Sequence, residues 1–187
     1  MAFAIPTVTL DANVLFPASL RDLLLRAVEH GLYRVAISRQ GWDEVTRNLV
    51  RTGRVTPDGA ARLDTQILRF LADHDALVTA YEGRIPTLTN HPKDRHVLAA
   101  AITGSAAVIV TFNLRDFPRT ALAPYGITAE HPDTFLAHVF DDQADVFGTL
   151  VRAQSAALRS PPVSVDRVLQ ALAQHIPRTV TRFQDHV

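Results

Sequence analysis

The sequence predicts an α/β protein built on a central parallel sheet and followed by a tail of helices alone. Three observations carry that expectation. Short apolar or β-branched runs alternate with amphipathic helical segments up to about residue 130. Glycine, proline and helix-capping residues fall at the junctions between them. Beyond about Pro132 the strand-like runs stop and only helical periodicity continues. Two parts are therefore expected, residues 1–132 and residues 133–187, with right-handed crossovers in the first.

Residues 7–10 (TVTL) read as a buried strand. FPAS breaks the pattern, and Ser19 with Asp22 resembles a capping arrangement that opens a helix with Leu20, Leu23, Leu24, Ala27 and Val28 on one face and Gly31 at its end. Tyr33 to Ile37 is a second strand. Ser38 is placed to cap a helix running to about Val50, in which Val45 and Leu49 share the apolar face and Glu44 borders it. Pro57 starts a third helix, with Leu63, Ile67, Leu68, Phe70 and Leu71 as core, and Ala76 to Thr79 is a third strand. Tyr81 to Pro92 holds Gly83, Pro86, Asn90 and Pro92 and reads as a loop of the length found beside active sites. Asp94 opens a helix whose Val97, Leu98, Ala101 and Ile102 face the core and which ends at Gly104. Ala107 to Thr111 is a β-branched strand, the loop FNLRDFP follows, and Ile127 to Ala129 adds a last strand. Phe135 to Phe140, Val146 to Leu158 and Val165 to Ala173 are helical, separated by DDQAD and SPP.

Composition excludes several function classes. A 187-residue chain with 47% hydrophobic and 20% charged residues suits a globular domain that buries about 70% of its unfolded surface. No apolar run approaches the ~18–20 residues of a membrane span, and the N-terminus has neither a basic start nor a cleavage site, so a cytoplasmic location is expected. The chain has no cysteine, which rules out disulfides, thiolate zinc sites and cysteine nucleophiles and leaves oxygen or imidazole to hold any metal. Net charge is zero and Lys93 is the only lysine, so arginines carry nearly all positive charge. They permit phosphate contacts without arguing for a nucleic-acid partner.

Four carboxylates stand where acids are hard to explain structurally. Asp11 follows the TVTL strand, Glu44 sits in an apolar-faced helix, Asp94 opens another helix, and Asp116 lies just past the AVIVT strand. Acids at the carboxyl ends of parallel strands point into the crevice where open α/β sheets bind ligands, so one shared pocket is expected. At ~5 Å and an effective dielectric of about 20, each pair would repel by roughly 3 kcal/mol. Protons or a hard divalent cation must offset that repulsion.

The segments TLDANVLF, WDEVTRNL, KDRHVLAAAI and VIVTFNLRDFP, in that order, resemble a PIN domain of the VapC toxin type over roughly residues 5–130. The resemblance implies a PIN-like three-layer α/β/α sandwich and a metal-dependent endoribonuclease acting on RNA, usually blocked by a protein antitoxin. It places Asp11, Glu44, Asp94 and Asp116 as catalytic metal-site acids, with Asn13, Thr111 and Asn113 lining or bracing the pocket. It further implies Mg²⁺ or Mn²⁺ as cofactor, in-line hydrolysis leaving 5′-phosphate and 3′-hydroxyl ends, and a homodimer with two pockets along one groove. The amide Asn113 stands where many such nucleases carry an acid, which leaves the pocket one negative charge poorer and argues for one firm ion site rather than two.

Arg95, Arg115 and Arg119 lie near these acids in sequence and are candidates for steering phosphates. His91 and His96 flank Asp94, but without a His-x-x-x-His pair no zinc site is expected, and His96 reads as a helix-surface residue. Trp42 and the pair Phe112 and Phe117 read as core anchors. Two other functions fit parts of the pattern. A haloacid-dehalogenase-like phosphatase also begins with Asp after a strand, but wants a second Asp at Asn13. A catalytically silent module could use the acidic pocket to hold a partner's arginine.

Overall fold

The computed structural model describes residues 5–141 and 143–185, so Asp142 of the DDQAD stretch lies outside it. In chain order the elements are β1 (Thr7–Leu10), α1 (Ala12–Leu15), α2 (Ala18–Glu29), β2 (Arg34–Val35), β3 (Ile37–Ser38), α3 (Arg39–Arg51), α4 (Pro57–Asp73), β4 (Leu77–Val78), α5 (Arg95–Thr103), β5 (Val108–Val110), α6 (Arg119–Leu122), β6 (Thr128–Glu130), α7 (Pro132–Val139), α8 (Ala144–Ala157), α9 (Val165–Ala173) and α10 (Pro177–Gln184). Two compact units result: residues 5–16 with Tyr33–Glu130, and Pro17–Leu32 with residues 131–185.

The first unit holds a wholly parallel sheet in the order β2-β1-β5-β6, and a parallel pair β3-β4. Only Ala36 separates β2 from β3, and its N–H donates to Val8 O at 2.8 Å while Ile37 N–H turns to Ala76 O at 2.9 Å. One extended segment thus passes from β1 to β4. Val8, Thr9 and Leu10 are all buried, as a strand covered on both faces requires. The register pairs Leu10 with Val110, so Asp11 and Thr111 end adjacent central strands side by side. Because β1 lies between β2 and β5, that edge is where the winding of the sheet reverses and a crevice opens.

Capping explains where several helices begin. Ser38 Oγ accepts from Gly41 N at 3.1 Å to start α3, and Thr56 Oγ1 accepts from Gly59 N at 3.1 Å ahead of Pro57 to start α4. Trp42 is fully buried and donates from Nε1 to Asp64 at 2.9 Å. The expected 81–92 loop contains a 3₁₀ helix, Glu82–Thr87, and a second 3₁₀ turn, Pro92–Asp94, leads into α5. Helix α5 buries every residue from His96 to Ala101. Its run of alanines lets it lie close on the strands, and at its end a Cβ on Gly104 would stand 2.6 Å from Ala36 Cβ. With Leu88, Ile109, Phe117, Leu122 and Ile127 it forms one continuous core.

The second unit is all-helical. Leu20, Leu23, Leu24, Ala27 and Val28 of α2 are buried, as are Phe147, Leu150 and Val151 of α8 and Val168, Leu169 and Leu172 of α9. The α2 capping arrangement expected from Ser19 and Asp22 does not form. Pro17 occupies the cap position, and Asp22 instead pairs with Arg26 at 2.6 Å one turn on. Helix α10 was not evident in the sequence because its polar run PRTVTRFQ buries only Thr179 and Val180. Buried Asp133 holds its start, accepting from Arg178 N at 3.0 Å, Thr179 N at 2.9 Å and Thr179 Oγ1 at 2.9 Å. Among the described residues no helix is long and apolar enough to cross a membrane.

Candidate active site

The crevice beyond β1 and β5 is organised around Asp11, whose side chain is nearly inaccessible at 5% exposure. Its Oδ2 accepts from Thr111 Oγ1 at 2.7 Å and from Asn13 Nδ2 at 2.7 Å. Thr111 Oγ1 also accepts from Asn13 Nδ2 at 3.0 Å and from the Asn113 backbone N–H at 3.0 Å. Asn13 completes the knot by accepting the Phe112 N–H on its Oδ1 at 3.1 Å. A hydroxyl has one proton and two lone pairs, so Thr111 is fully used. The α1 turn and the start of the loop after β5 are thereby fastened to one carboxylate.

Burial raises the Asp11 carboxyl to about 6, against an ordinary 3.8. The Thr111 hydrogen bond and the Ala12 backbone oppose that rise, while the negative charges of Asp94 and Glu44 add to it. These couplings place Asp94 and Glu44 in the electrostatic neighbourhood of Asp11.

A second focus lies where α5 begins. His91 N–H donates to Asp116 O at 3.2 Å and Asp94 N–H to His91 O at 2.9 Å, which ties the pre-α5 turn to the loop after β5. His91 Nδ1 sits 3.1 Å from Asp94 Oδ2, and one ligand atom each of His91, Asp94 and Asp116 lies within 4.8 Å of the others. Of the four acids singled out in the sequence, Asp94 and Asp116 are therefore neighbours, and the charges of Asp94 and Glu44 reach Asp11. A histidine and two carboxylates so placed are a group that could hold a divalent cation.

The arginines divide. Arg115 reaches Asp116 at 3.8 Å with 88% of its side chain exposed, and Arg95 donates from Nε to Asn90 O at 3.3 Å. Arg119 instead lines an apolar groove with Leu114, Phe117, Leu122 and Ile127. Phe117 is core, as expected, whereas Phe112 is only partly covered.

One histidine departs from the position that the sequence predicts. His96 is not on the helix surface but 4% exposed, with Nδ1 against Lys93 O at 2.9 Å and Nε2 facing Glu44 Oε2 at 3.8 Å. Apolar periodicity predicts a one-sided α5, whereas the helix is covered almost all round. The signal was present as two histidines bracketing Asp94 in HPKDRH. Asn90 is likewise buried, and among the described residues its side-chain amide has no hydrogen-bond partner.

Comparison with known proteins gives the family. A model described as PIN domain matches residues 7–115, and one described as VapC50 C-terminal domain matches residues 132–185. The chain is 41% identical over 103 residues to a protein described as "Putative ribonuclease VapC50" from Mycobacterium tuberculosis (strain ATCC 25618 / H37Rv). That stretch is 55% of this chain and 61% of the relative. No solved structure matches the chain.

Proposed function

The chain belongs to the PIN-domain family, and from that premise we propose that it is a divalent-cation-dependent endoribonuclease, the toxin of a VapBC-type toxin–antitoxin pair working in the cytoplasm. One observation supports this reading above the rest. Ligand atoms of His91, Asp94 and Asp116 converge within 4.8 Å, and the buried Asp11 carboxyl, raised first by burial, also feels the charges of Asp94 and Glu44. The relative's description as a ribonuclease points the same way.

In this reading Asp11, Asp94 and Asp116 hold the cation and Glu44 completes the shell. Bound there, a divalent cation would lower the pKa of a coordinated water and would stabilise charge gathering on the phosphate. The residues around it do the positioning. Thr111 and Asn13 clamp Oδ2 of Asp11 and so fix the plane of that carboxylate. Asn113, through its backbone N–H, holds Thr111 in that clamp. His91 orients Asp94. Arg115, exposed beside Asp116, meets the RNA backbone, with Arg95 as a further phosphate contact and Arg119 reaching RNA from outside the acid cluster. A protein antitoxin inhibits by inserting a cationic side chain among these acids, and two copies of the chain pair to align two pockets.

The phosphatase alternative loses ground at Asn13. Its amide N–H is what binds Asp11 and Thr111, and the second aspartate that such a phosphatase needs would offer no donor there.

The deciding experiment incubates purified protein with RNA in EDTA, Mg²⁺ or Mn²⁺ and maps the new ends. Cleavage to 5′-phosphate ends that EDTA stops and Asp94→Asn abolishes is the expected result. Cleavage undiminished by EDTA would overturn the metal reading, and no cleavage of any RNA by the ion-loaded protein would overturn the nuclease reading.

A further inference from the structure

Asp94 stands at the N-cap position of α5, where an aspartate side chain ordinarily accepts from a backbone N–H of the first turn. Its carboxylate makes no such bond. What it meets is His91, whose Nδ1 lies 3.1 Å from Oδ2. Backbone bonds hold the group together: His91 N–H donates to Asp116 O at 3.2 Å, and Asp94 N–H donates to His91 O at 2.9 Å. The side chains of Asp94 and Asp116 are 22% and 18% exposed and that of His91 is 45% exposed, so the group is recessed yet open to solvent.

An imidazolium paired with Asp94 would account for that contact alone. It leaves Asp116, a second carboxylate whose ligand atom lies within 4.8 Å of both. One positive ring offsets only one of two negative charges, and Arg115, 88% exposed and 3.8 Å from Asp116, is screened by water. A divalent cation beside a neutral imidazole balances both carboxylates. Ligands bonded at ~2.1 Å stand roughly 3.0 Å apart when adjacent in an octahedron and about 4.2 Å apart when opposite. The 3.1 Å contact that orients Asp94 therefore has the length of an octahedral edge, with Nδ1 and Oδ2 as neighbouring donors.

We infer, resting on the metal-dependent reading given above, that His91 Nδ1 is a direct ligand of the cation in one set with Asp94 and Asp116, and that this nitrogen biases the site toward first-row transition ions over Mg²⁺. Imidazole suits transition ions, whereas Mg²⁺ keeps to carboxylate, carbonyl and water oxygens and dehydrates reluctantly. His91 thus decides which ion the two carboxylates hold.

The test loads the full chain with Mn²⁺, reads electron spin-echo envelope modulation, and measures Mn²⁺ and Mg²⁺ affinities by calorimetry. The expected result is ¹⁴N modulation in the wild type, lost in both His91→Ala and His91→Asp. Mn²⁺ affinity falls roughly 10- to 100-fold in His91→Ala, while Mg²⁺ affinity changes less. His91→Asp, which puts an oxygen donor in place of the nitrogen, binds Mn²⁺ without nitrogen coupling and shifts the preference toward Mg²⁺. Should His91→Ala fail to fold, His91→Asp decides the matter by the same two readouts. Modulation retained in either variant, or a ratio of Mn²⁺ to Mg²⁺ affinity that neither variant changes, overturns the proposal. Bound Mn²⁺ with no nitrogen coupling in the wild type also overturns it, in favour of an imidazolium paired with Asp94, and leaves an oxygen-only metal site standing. No Mn²⁺ binding at all overturns both.

Discussion

Thr111 Oγ1 donates to Asp11 Oδ2 at 2.7 Å although the two residues are 100 positions apart. The bond joins the ends of neighbouring parallel strands, so the geometry of one carboxylate depends on the register between β1 and β5. A hydroxyl that also accepts from Asn13 and Asn113 acts as the hub of the crevice.

Removing that hub while keeping its shape isolates its contribution. Thr111→Val leaves Asp11 and two N–H donors short of a partner and costs about 1–3 kcal/mol. Cleavage falls as well, by the 10- to 100-fold typical of lost support around a metal ligand. Thr111→Ser restores most of both. Urea unfolding and initial rates on one RNA measure the two effects.

Asp11 sets stability against function. The folded chain holds its proton up to about 6 against 3.8 ordinarily, so the neutral form is favoured by folding. That contribution is complete below pH ~4 and is lost as pH rises through 6, a span of about two pH units at ~1.4 kcal/mol each, or roughly 3 kcal/mol. Asp11→Asn never acquires the charge. In chelator at pH 7.5 the variant is therefore more stable than wild type by up to about 3 kcal/mol, and the gap closes near pH 4. Urea midpoints at the two pH values check this.

The same substitution abolishes cleavage. Loss of one ligand removes several kcal/mol of charge stabilisation, and at ~1.4 kcal/mol per tenfold the rate drops about 100-fold or more. A variant that gained stability and kept full activity would dissociate Asp11 from the chemistry.

Gly104 is required by space, not by backbone angle. Its added Cβ meets Ala36 Cβ at 2.6 Å and Val78 Cγ2 at 3.0 Å, both on the bent strand segment or its neighbour. Gly104→Ala pushes α5 off the sheet and costs about 1–3 kcal/mol. Because α5 follows directly on Asp94, Mn²⁺ affinity measured by calorimetry weakens in the same variant.

In the helical unit, Asp133→Ala strips two N–H groups and a hydroxyl of their buried acceptor. The expected loss is about 1–2 kcal/mol of stability, the range for a lost helix cap. Hydrogen exchange localises the loss to the first turn of α10.

Strand ends and helix starts were legible because period and punctuation specify them locally. TVTL, AVIVT and the Ser38 cap needed no tertiary information, and the acids stood out as the wrong chemistry at those ends. His96 was not legible because burial on every side of α5 depends on what the rest of the chain places around it. Likewise Asn90 and His91 lie in a segment with no periodicity, and their meaning comes from the Asp116 backbone that His91 contacts. Ser19 and Asp22 have the right identities for a cap but follow a proline that already occupies that position.

The apolar face of α2 packs with α8 and α9, and Gln154 on α8 donates to Ser19 O at 3.1 Å. On the ribosome α2 therefore emerges long before the segments that cover it, a wait of roughly 6–30 s at ~5–20 residues per second. During translation Leu20, Leu23 and Leu24 are bare, and a growing chain of this design gives chaperones a binding target until its last helices arrive.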